Sequence, residues 1–246
     1  MNRRVALIAN ADTHVGPDLA RILARRGHDL VLGDPQPGLA EELRQLGVGA
    51  KIVSGTDDIA YPGAMKRLVA AALNEYGRLD AAYIRTGYIL TGPFLEATQD
   101  DLSIVLRENI EAVFHCLQTV LPPMIERGTG QILVITSASG AKATPKAPLY
   151  SATRAAANML VKNVALDVAD KGIIVNAAGT NFLDYPGFVE ASGAADPKIR
   201  KRIESSIPVG RLGRPDEAAH FCAGLLDGQN MFQTGQFFSL SGGWSD

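Results

Sequence analysis

The sequence predicts an α/β fold in which a doubly wound, mostly parallel sheet lies between two layers of helices. Short apolar segments alternate with longer segments whose apolar residues recur at helical spacing, from residue 5 to residue 240. That alternation is typical of βαβ units, in which consecutive parallel strands are joined by a helix. No internal repeat or low-complexity linker divides the 246 residues, so we expect a single domain over residues 1–246.

Each element is predicted from its own segment. Strands are expected at 5–8, 30–32, 51–54, 81–84, 131–135, 173–177 and 236–240. The clearest helices are expected at 16–26, 39–46, 63–76, 100–122 and 150–169. Residues 179–197 are polar and rich in Gly, Ala and Pro, which predicts a mobile substrate loop. In such sheets ligands bind beyond the carboxyl ends of the strands, where this loop begins.

Composition excludes several classes of function. The formal net charge is −2 and no basic run exceeds a pair, so nucleic acid is not an expected partner. No apolar segment is long enough to cross a membrane. Cys116 and Cys222 lie in apolar helical patterns and are expected as buried free thiols, typical of a cytoplasmic protein. The histidines have no partners at ligand spacing, so no metal site is expected.

Three polar side chains are predicted to meet at the end of the fifth strand. Ser137 follows the apolar segment 131–135, and Tyr150 and Arg154 lie four residues apart at the start of an Ala-rich helix. This spacing places the phenol and the guanidinium on one helix face. A hydroxyl, a phenol and a permanent cation facing one pocket can hold an oxygen atom and move a proton, so we expect an acid–base site.

The first turn lacks the glycines that a dinucleotide needs for close approach of its pyrophosphate. Asn10 and His14 stand at the first two glycine positions, and only Gly16 remains. The imidazole is expected to fill the nucleotide's space. Asp34, at the end of the second strand, suits either an adenosine ribose or an ordinary strand exit before Pro35.

The whole chain resembles the short-chain dehydrogenase/reductase superfamily, which has a Rossmann-like, three-layer αβα fold. The matching motifs are YGRLD at 76–80, Asn109, ITSASG around Ser137, YSATR from Tyr150 and TGQFFSLSGGW at 234–244.

Systematic departures make the chain similar to one branch, the halohydrin dehalogenases. YxxxK reads YxxxR, the glycine-rich turn is lost, and residues 177–188 (AAGTNFLDYPGF) are similar to that family's halide-binding loop. The resemblance implies a cofactor-independent carbon–halide lyase that forms homotetramers. It would close vicinal halohydrins to epoxides with halide release, and reopen epoxides with small anions such as halide, azide, cyanide or nitrite.

The resemblance also implies roles for individual residues. Ser137 would hold the substrate oxygen, Tyr150 would be the base, and Arg154 would stabilise its phenolate. The halide and substrate site would be lined by His14, Thr86, Thr180, Asn181, Phe182, Leu183, Tyr185 and Phe188.

Two other functions stay open. One is an NAD(P)-dependent short-chain reductase with a degenerate glycine-rich turn, and the other is a non-catalytic binding protein on the same fold. Asn109 is expected as a structural hydrogen bonder, Trp244 as a subunit-interface or pocket-closing residue, and Arg85 has no assigned role.

Overall fold

A computed structural model describes residues 3–245 and confirms the predicted fold class. Seven strands form one sheet in the order β3-β2-β1-β4-β5-β6-β7, and every neighbouring pair is parallel. The strands are β1 (Val5–Ile8), β2 (Asp29–Gly33), β3 (Ala50–Val53), β4 (Ala81–Arg85), β5 (Gly130–Ser137), β6 (Ile173–Thr180) and β7 (Phe237–Leu240).

Helices follow the strands in the predicted alternation. They are α1 (Gly16–Arg25), α2 (Leu39–Gln45), α3 (Pro62–Tyr76), α4 (Gln99–Leu106), α5 (Ala112–Arg127), α6 (Pro148–Val168), α7 (Pro186–Ser192), α8 (Pro197–Glu204) and α9 (Pro215–Leu226). Several begin with a proline in the first turn, where the ring's fixed φ suits the helix and its missing N–H needs no partner.

The two faces of the sheet form two separate apolar cores. Because side chains alternate along a strand, Ala6 and Ile8 face one core, while Val5 and Leu7 face the other. Helices α1, α2 and α9 cover the first face, and helices α3, α5 and α6 cover the second. Both faces of the central strands are therefore buried, which explains why these strands read as continuous apolar runs.

The long helix predicted at 100–122 is interrupted. A π-helical turn (Arg107–Glu111) separates α4 from α5, and α5 continues past Pro122 and Pro123 to Arg127. It ends at Gly128, whose φ of 68° is in the left-handed region that favours glycine. The predicted end at residue 122 is therefore five residues too early.

The segment 179–197 also contains more regular structure than a mobile loop. Its centre forms α7, which Pro186 begins and Gly193 ends at a φ of 69°. The composition that predicted mobility thus includes a start and a stop signal of a short helix.

The edge of the sheet opposite the strands' carboxyl ends is fixed by one fully buried acid. Asp80 accepts hydrogen bonds from Arg78 Nε and Nη2 at 2.7 Å each and from the Val5 backbone N–H at 2.8 Å. Burial alone would raise the pKa of Asp80, but these hydrogen bonds outweigh it and hold the pKa below its usual range. The acid therefore stays charged and ties β1 to β4.

Within residues 3–245, no helix is both long enough and apolar enough to span a lipid bilayer. Cys116 and Cys222 are buried free thiols, as predicted.

Candidate active site

The strand order reverses between β1 and β4, and a cavity of about 340 Å³ lies beyond the carboxyl ends at this point. The turn after β1 supplies His14, the exit of β4 supplies Thr86, β5 ends at Ser137 and β6 ends at Thr180. Such a switch point is the usual ligand site of an open parallel sheet. The volume suits a small organic molecule.

All eleven site residues predicted from the sequence line this one cavity. They are His14, Thr86, Ser137, Tyr150, Arg154, Thr180, Asn181, Phe182, Leu183, Tyr185 and Phe188. The sequence reasoning missed other lining residues, of which Gly87, Ile89, Ser139 and Thr144 are examples, and it gave no role to Arg85. The first two follow β4 and could have been found from that position alone.

Ser137, the last residue of β5, lines the cavity. Its side chain is 5% exposed, and its Oγ accepts a hydrogen bond of 3.1 Å from the backbone N–H of Ser139. A hydroxyl that already accepts one hydrogen bond still has its own O–H to donate. Ser137 can therefore donate to an oxygen atom of a bound molecule.

Arg154 is held against the loop that follows β4. Its Nη2 donates to the backbone carbonyl of Thr86 at 2.6 Å, and its guanidinium carbon lies 5.3 Å from the centre of the Tyr150 ring. Its Nε is buried and has no partner among the described residues. Gly87 makes this arrangement possible, because a methyl group at that position would stand 1.6 Å from Nη2.

Electrostatics couple the guanidinium to the phenol. Burial lowers the pKa of Arg154, while the interaction with an ionised Tyr150 raises it and the like charge of Arg85 lowers it. An arginine starts from so high a pKa that it keeps its charge. The positive charge of Arg154 thus lies beside the phenol when Tyr150 loses its proton.

Asn109, in the π-helical turn, clamps the loop after β4. Its side-chain oxygen accepts from the Tyr88 N–H at 2.9 Å, and its amide nitrogen donates to Thr153 Oγ at 2.9 Å and to the Tyr88 carbonyl at 3.3 Å. The residue is fully buried. It connects the loop that holds Arg154 to the helix that carries Arg154, which agrees with a structural role.

Aromatic rings close the far side of the cavity. Phe182 meets the rings of Trp244 and Phe188 edge to face, with centroids 5.5 and 6.2 Å apart. The ammonium of Lys142 lies 4.7 Å from the centre of the Trp244 ring. Trp244 therefore closes the pocket, one of the two roles expected for it.

His14 lies across the first turn. At a φ of 58° it points its ring to the end of β6, where Nε2 is 3.2 Å from Thr180 Oγ and the ring meets Tyr185 edge to face at 5.0 Å. Burial, followed by the positive charge of Arg85, lowers the pKa of His14 to about 3. The imidazole is therefore neutral at physiological pH.

The hydrogen-bonding capacity of the Asp34 carboxylate is used within the protein. Its carboxylate accepts hydrogen bonds from the Gly55 N–H at 2.8 Å and from the N–H and hydroxyl of Thr56 at 2.5 and 2.9 Å. These contacts fix the exit of β3. Of the two roles left open for Asp34, the structure supports the strand exit.

A parallel sheet whose carboxyl edge carries a Ser, a Tyr and a basic residue four positions later defines the class of short-chain dehydrogenases and reductases. A family model described as "Enoyl-(Acyl carrier protein) reductase" matches residues 9–245. The chain belongs to this family, within the short-chain dehydrogenase/reductase superfamily.

Individual proteins give the same result. Oxidoreductase UcpA of Escherichia coli K12 is 31% identical over 248 residues, covering 98% of this chain and 94% of UcpA. The 3-oxoacyl-[acyl-carrier-protein] reductase FabG of Thermotoga maritima is 26% identical, covering 98% and 97%.

Solved structures agree. Acetoin dehydrogenase from Enterobacter cloacae matches with a TM-score of 0.85 and 27% identity, covering 99% of this chain and 96% of that one. Levodione reductase matches with a TM-score of 0.87 and 22% identity, covering 99% and 97%, which shows the fold alone.

These relatives correct the predicted activity. They are named oxidoreductases and reductases, which contradicts the prediction of a halohydrin dehalogenase and of a carbon–halide lyase. The superfamily was predicted correctly, but the branch was inferred from YxxxR, from the lost glycines and from the similarity of residues 177–188 to a halide-binding loop. Those features describe the lining of one cavity, whereas the similarity to the relatives extends over the whole chain.

The side chains of the first turn and of Asp34 occupy the positions where the dinucleotide that this superfamily implies would bind. The imidazole of His14 lies between the end of β1 and the end of β6, where it contacts Thr180. The Asp34 carboxylate already accepts three hydrogen bonds from the protein. Asn10 replaces the first glycine, and its side-chain oxygen is buried without a partner among the described residues. As these side chains stand, the turn does not fit a dinucleotide, and entry requires His14 to leave Thr180.

Proposed function

We propose that this protein is a short-chain oxidoreductase of a small carbonyl or alcohol substrate, in which Tyr150 exchanges the proton of the substrate oxygen. The observation that carries the proposal is the convergence of Ser137, Tyr150 and Arg154 on one cavity at the strand edge. The names of the relatives favour oxidation and reduction over the other reactions that such an acid–base site supports.

Ser137 and Tyr150 have different roles toward the substrate oxygen. The Ser137 hydroxyl donates a hydrogen bond to that oxygen, since its own oxygen already accepts from Ser139. In the direction of reduction Tyr150 gives its phenolic proton to the oxygen, and in the direction of oxidation its phenolate takes the proton back.

Arg154 places a positive charge beside the phenol. Its guanidinium lies beside the Tyr150 ring in a buried site, where the attraction between opposite charges exceeds that in water. Thr86 and Gly87 fix its position, so the charge needs little reorganisation when the proton moves. These residues act on the proton that is exchanged with the substrate oxygen.

A spectrophotometric assay tests the proposal. Substrate-dependent oxidation of NADH or NADPH is measured over a panel of small ketones and aldehydes with the wild type, His14→Gly and Tyr150→Phe. We expect reduction by His14→Gly at low cofactor concentration, reduction by the wild type only at cofactor concentrations high enough to displace His14 from Thr180, and none by Tyr150→Phe. Absence of reduction by both folded wild type and folded His14→Gly would refute the function.

A further inference from the structure

Arg85 is a cation in the cavity to which the proton-transfer site assigns no role. It is the last residue of β4 and lines the cavity together with His14 and Thr86. Because side chains alternate along a strand, it shares a face with Tyr83, whose hydroxyl is 3.5 Å from His14 Nδ1. Arg85 therefore stands on the His14 side of the cavity.

The charge of Arg85 has no opposite charge beside it among residues 3–245. Within residues 3–245, no carboxylate lies within 4.0 Å of its guanidinium, and no hydrogen bond from that group is formed. No Asp or Glu of the described part of the chain lines the cavity. The side chain is partly buried, and a buried charge is costly unless an opposite charge or several hydrogen bonds compensate it.

The second guanidinium does not remove this imbalance. The Arg154 guanidinium donates a hydrogen bond to the Thr86 carbonyl and lies against the Tyr150 ring. It adds a second positive charge to the same cavity. His14 is neutral because burial lowers its pKa to about 3, so it neither adds to the charge nor offsets it. The cavity thus carries two permanent positive charges, and the N–H donors of the Arg85 guanidinium have no acceptor among the described residues.

We propose that Arg85 binds an oxyanion group, a carboxylate or a phosphate, of the molecule that occupies the cavity. A planar guanidinium matches both groups through two parallel hydrogen bonds. The group belongs either to the substrate, as a carboxylate, or, once His14 has left Thr180, to a cofactor, as a phosphate. The inference deepens the proposed function, on which it rests for the position of the reacting oxygen.

Calorimetric titration without turnover tests the proposal. The probes are acetoacetate, its uncharged counterpart 2-butanone, and inorganic pyrophosphate. They are titrated into the wild type, Arg85→Gln, Arg85→Lys and the control Arg107→Gln. Arg107 is exposed, pairs with Glu108 and is not among the residues that line the cavity.

We expect Arg85→Gln to weaken at least one anion about tenfold to a hundredfold, as for a lost charge-assisted hydrogen bond. Arg85→Lys should recover part of the affinity, and Arg107→Gln should keep all of it. Loss confined to acetoacetate assigns a substrate carboxylate, and loss confined to pyrophosphate assigns a cofactor phosphate. The affinity for 2-butanone, which carries no charge, should be the same in Arg85→Gln as in the wild type.

The proposal is overturned if neither anion binds the wild type, or if both bind Arg85→Gln as tightly as they bind the wild type. Tyr150→Phe separates this result from a failure of the proposed function. In the Tyr150→Phe background, where no carbonyl is reduced, Arg85→Gln should weaken the same anion by the same factor as in the wild type, because the phenolic proton takes no part in binding an anion at Arg85.

Discussion

Gly87 controls the position of the catalytic cation, and Gly87→Ala should disable the site without unfolding the protein. The new methyl group would stand 1.6 Å from Nη2 and 2.1 Å from Cζ of Arg154. Ordinary carbon contacts are about 3.5 Å, so the guanidinium must retreat by about 2 Å and lose its hydrogen bond to the Thr86 carbonyl. A misplacement of about 1 Å can cost about a hundredfold in rate.

We therefore expect kcat/KM for the preferred carbonyl to fall at least about a hundredfold in Gly87→Ala. The matched control is Gly77→Ala, which also places alanine at a positive φ, 68°, but with no atom within 4 Å of the new methyl. Both variants lose stability through backbone strain, by roughly 1 kcal/mol. Steady-state kinetics beside thermal melting separates the two effects. Near-normal kcat/KM in folded Gly87→Ala would refute the positioning of Arg154 by this loop.

Three further predictions concern stability and support of the site. Neutral His14 stabilises the fold fully above pH 6.5, and this stability is lost at about 1.4 kcal/mol per pH unit as the pH falls toward its folded pKa of about 3. His14→Gln should flatten the free energy of unfolding between pH 7 and 4, and an unchanged slope would count against burial of a neutral imidazole. Asp80→Asn should lower the free energy of unfolding by about 3 kcal/mol in urea titration, because it removes the buried negative charge to which Arg78 donates two hydrogen bonds; a loss under about 0.5 kcal/mol would contradict this. Asn109→Ala should reduce kcat about tenfold at little change in KM, since it frees the loop that holds Arg154, and a change in KM alone would argue against that route.

Most of the fold could be predicted because local patterns and tertiary packing agree. The strands are apolar on both faces, and the helices carry apolar residues at helical spacing, so the alternation identifies the class without knowledge of contacts. The helix end at Pro122 and the mobility of the segment 179–197 were predicted wrongly, because composition does not show which backbone groups form hydrogen bonds. A proline inside α5 and a short helix between Pro186 and Gly193 depend on the surrounding structure.

The site residues could be predicted because β5 and α6 place them by simple geometry. Ser137 ends a strand, and Tyr150 and Arg154 share one helix face. The roles of Gly87 and Arg85 could not, since the first depends on a close approach between two elements and the second on a missing partner. The reaction itself could not be read from the cavity, because one acid–base arrangement serves several chemistries.

The most direct test of the account is the effect of Tyr150→Phe on carbonyl reduction when Ser137 and Arg154 are intact. Reduction of the best ketone is measured with saturating NADPH in the wild type, His14→Gly and the Tyr150→Phe variant of each. We predict that removing the hydroxyl lowers kcat about 10²- to 10⁴-fold in both backgrounds. An unchanged kcat would contradict the account, as would halide release from a halohydrin without nicotinamide by a protein that reduces no carbonyl.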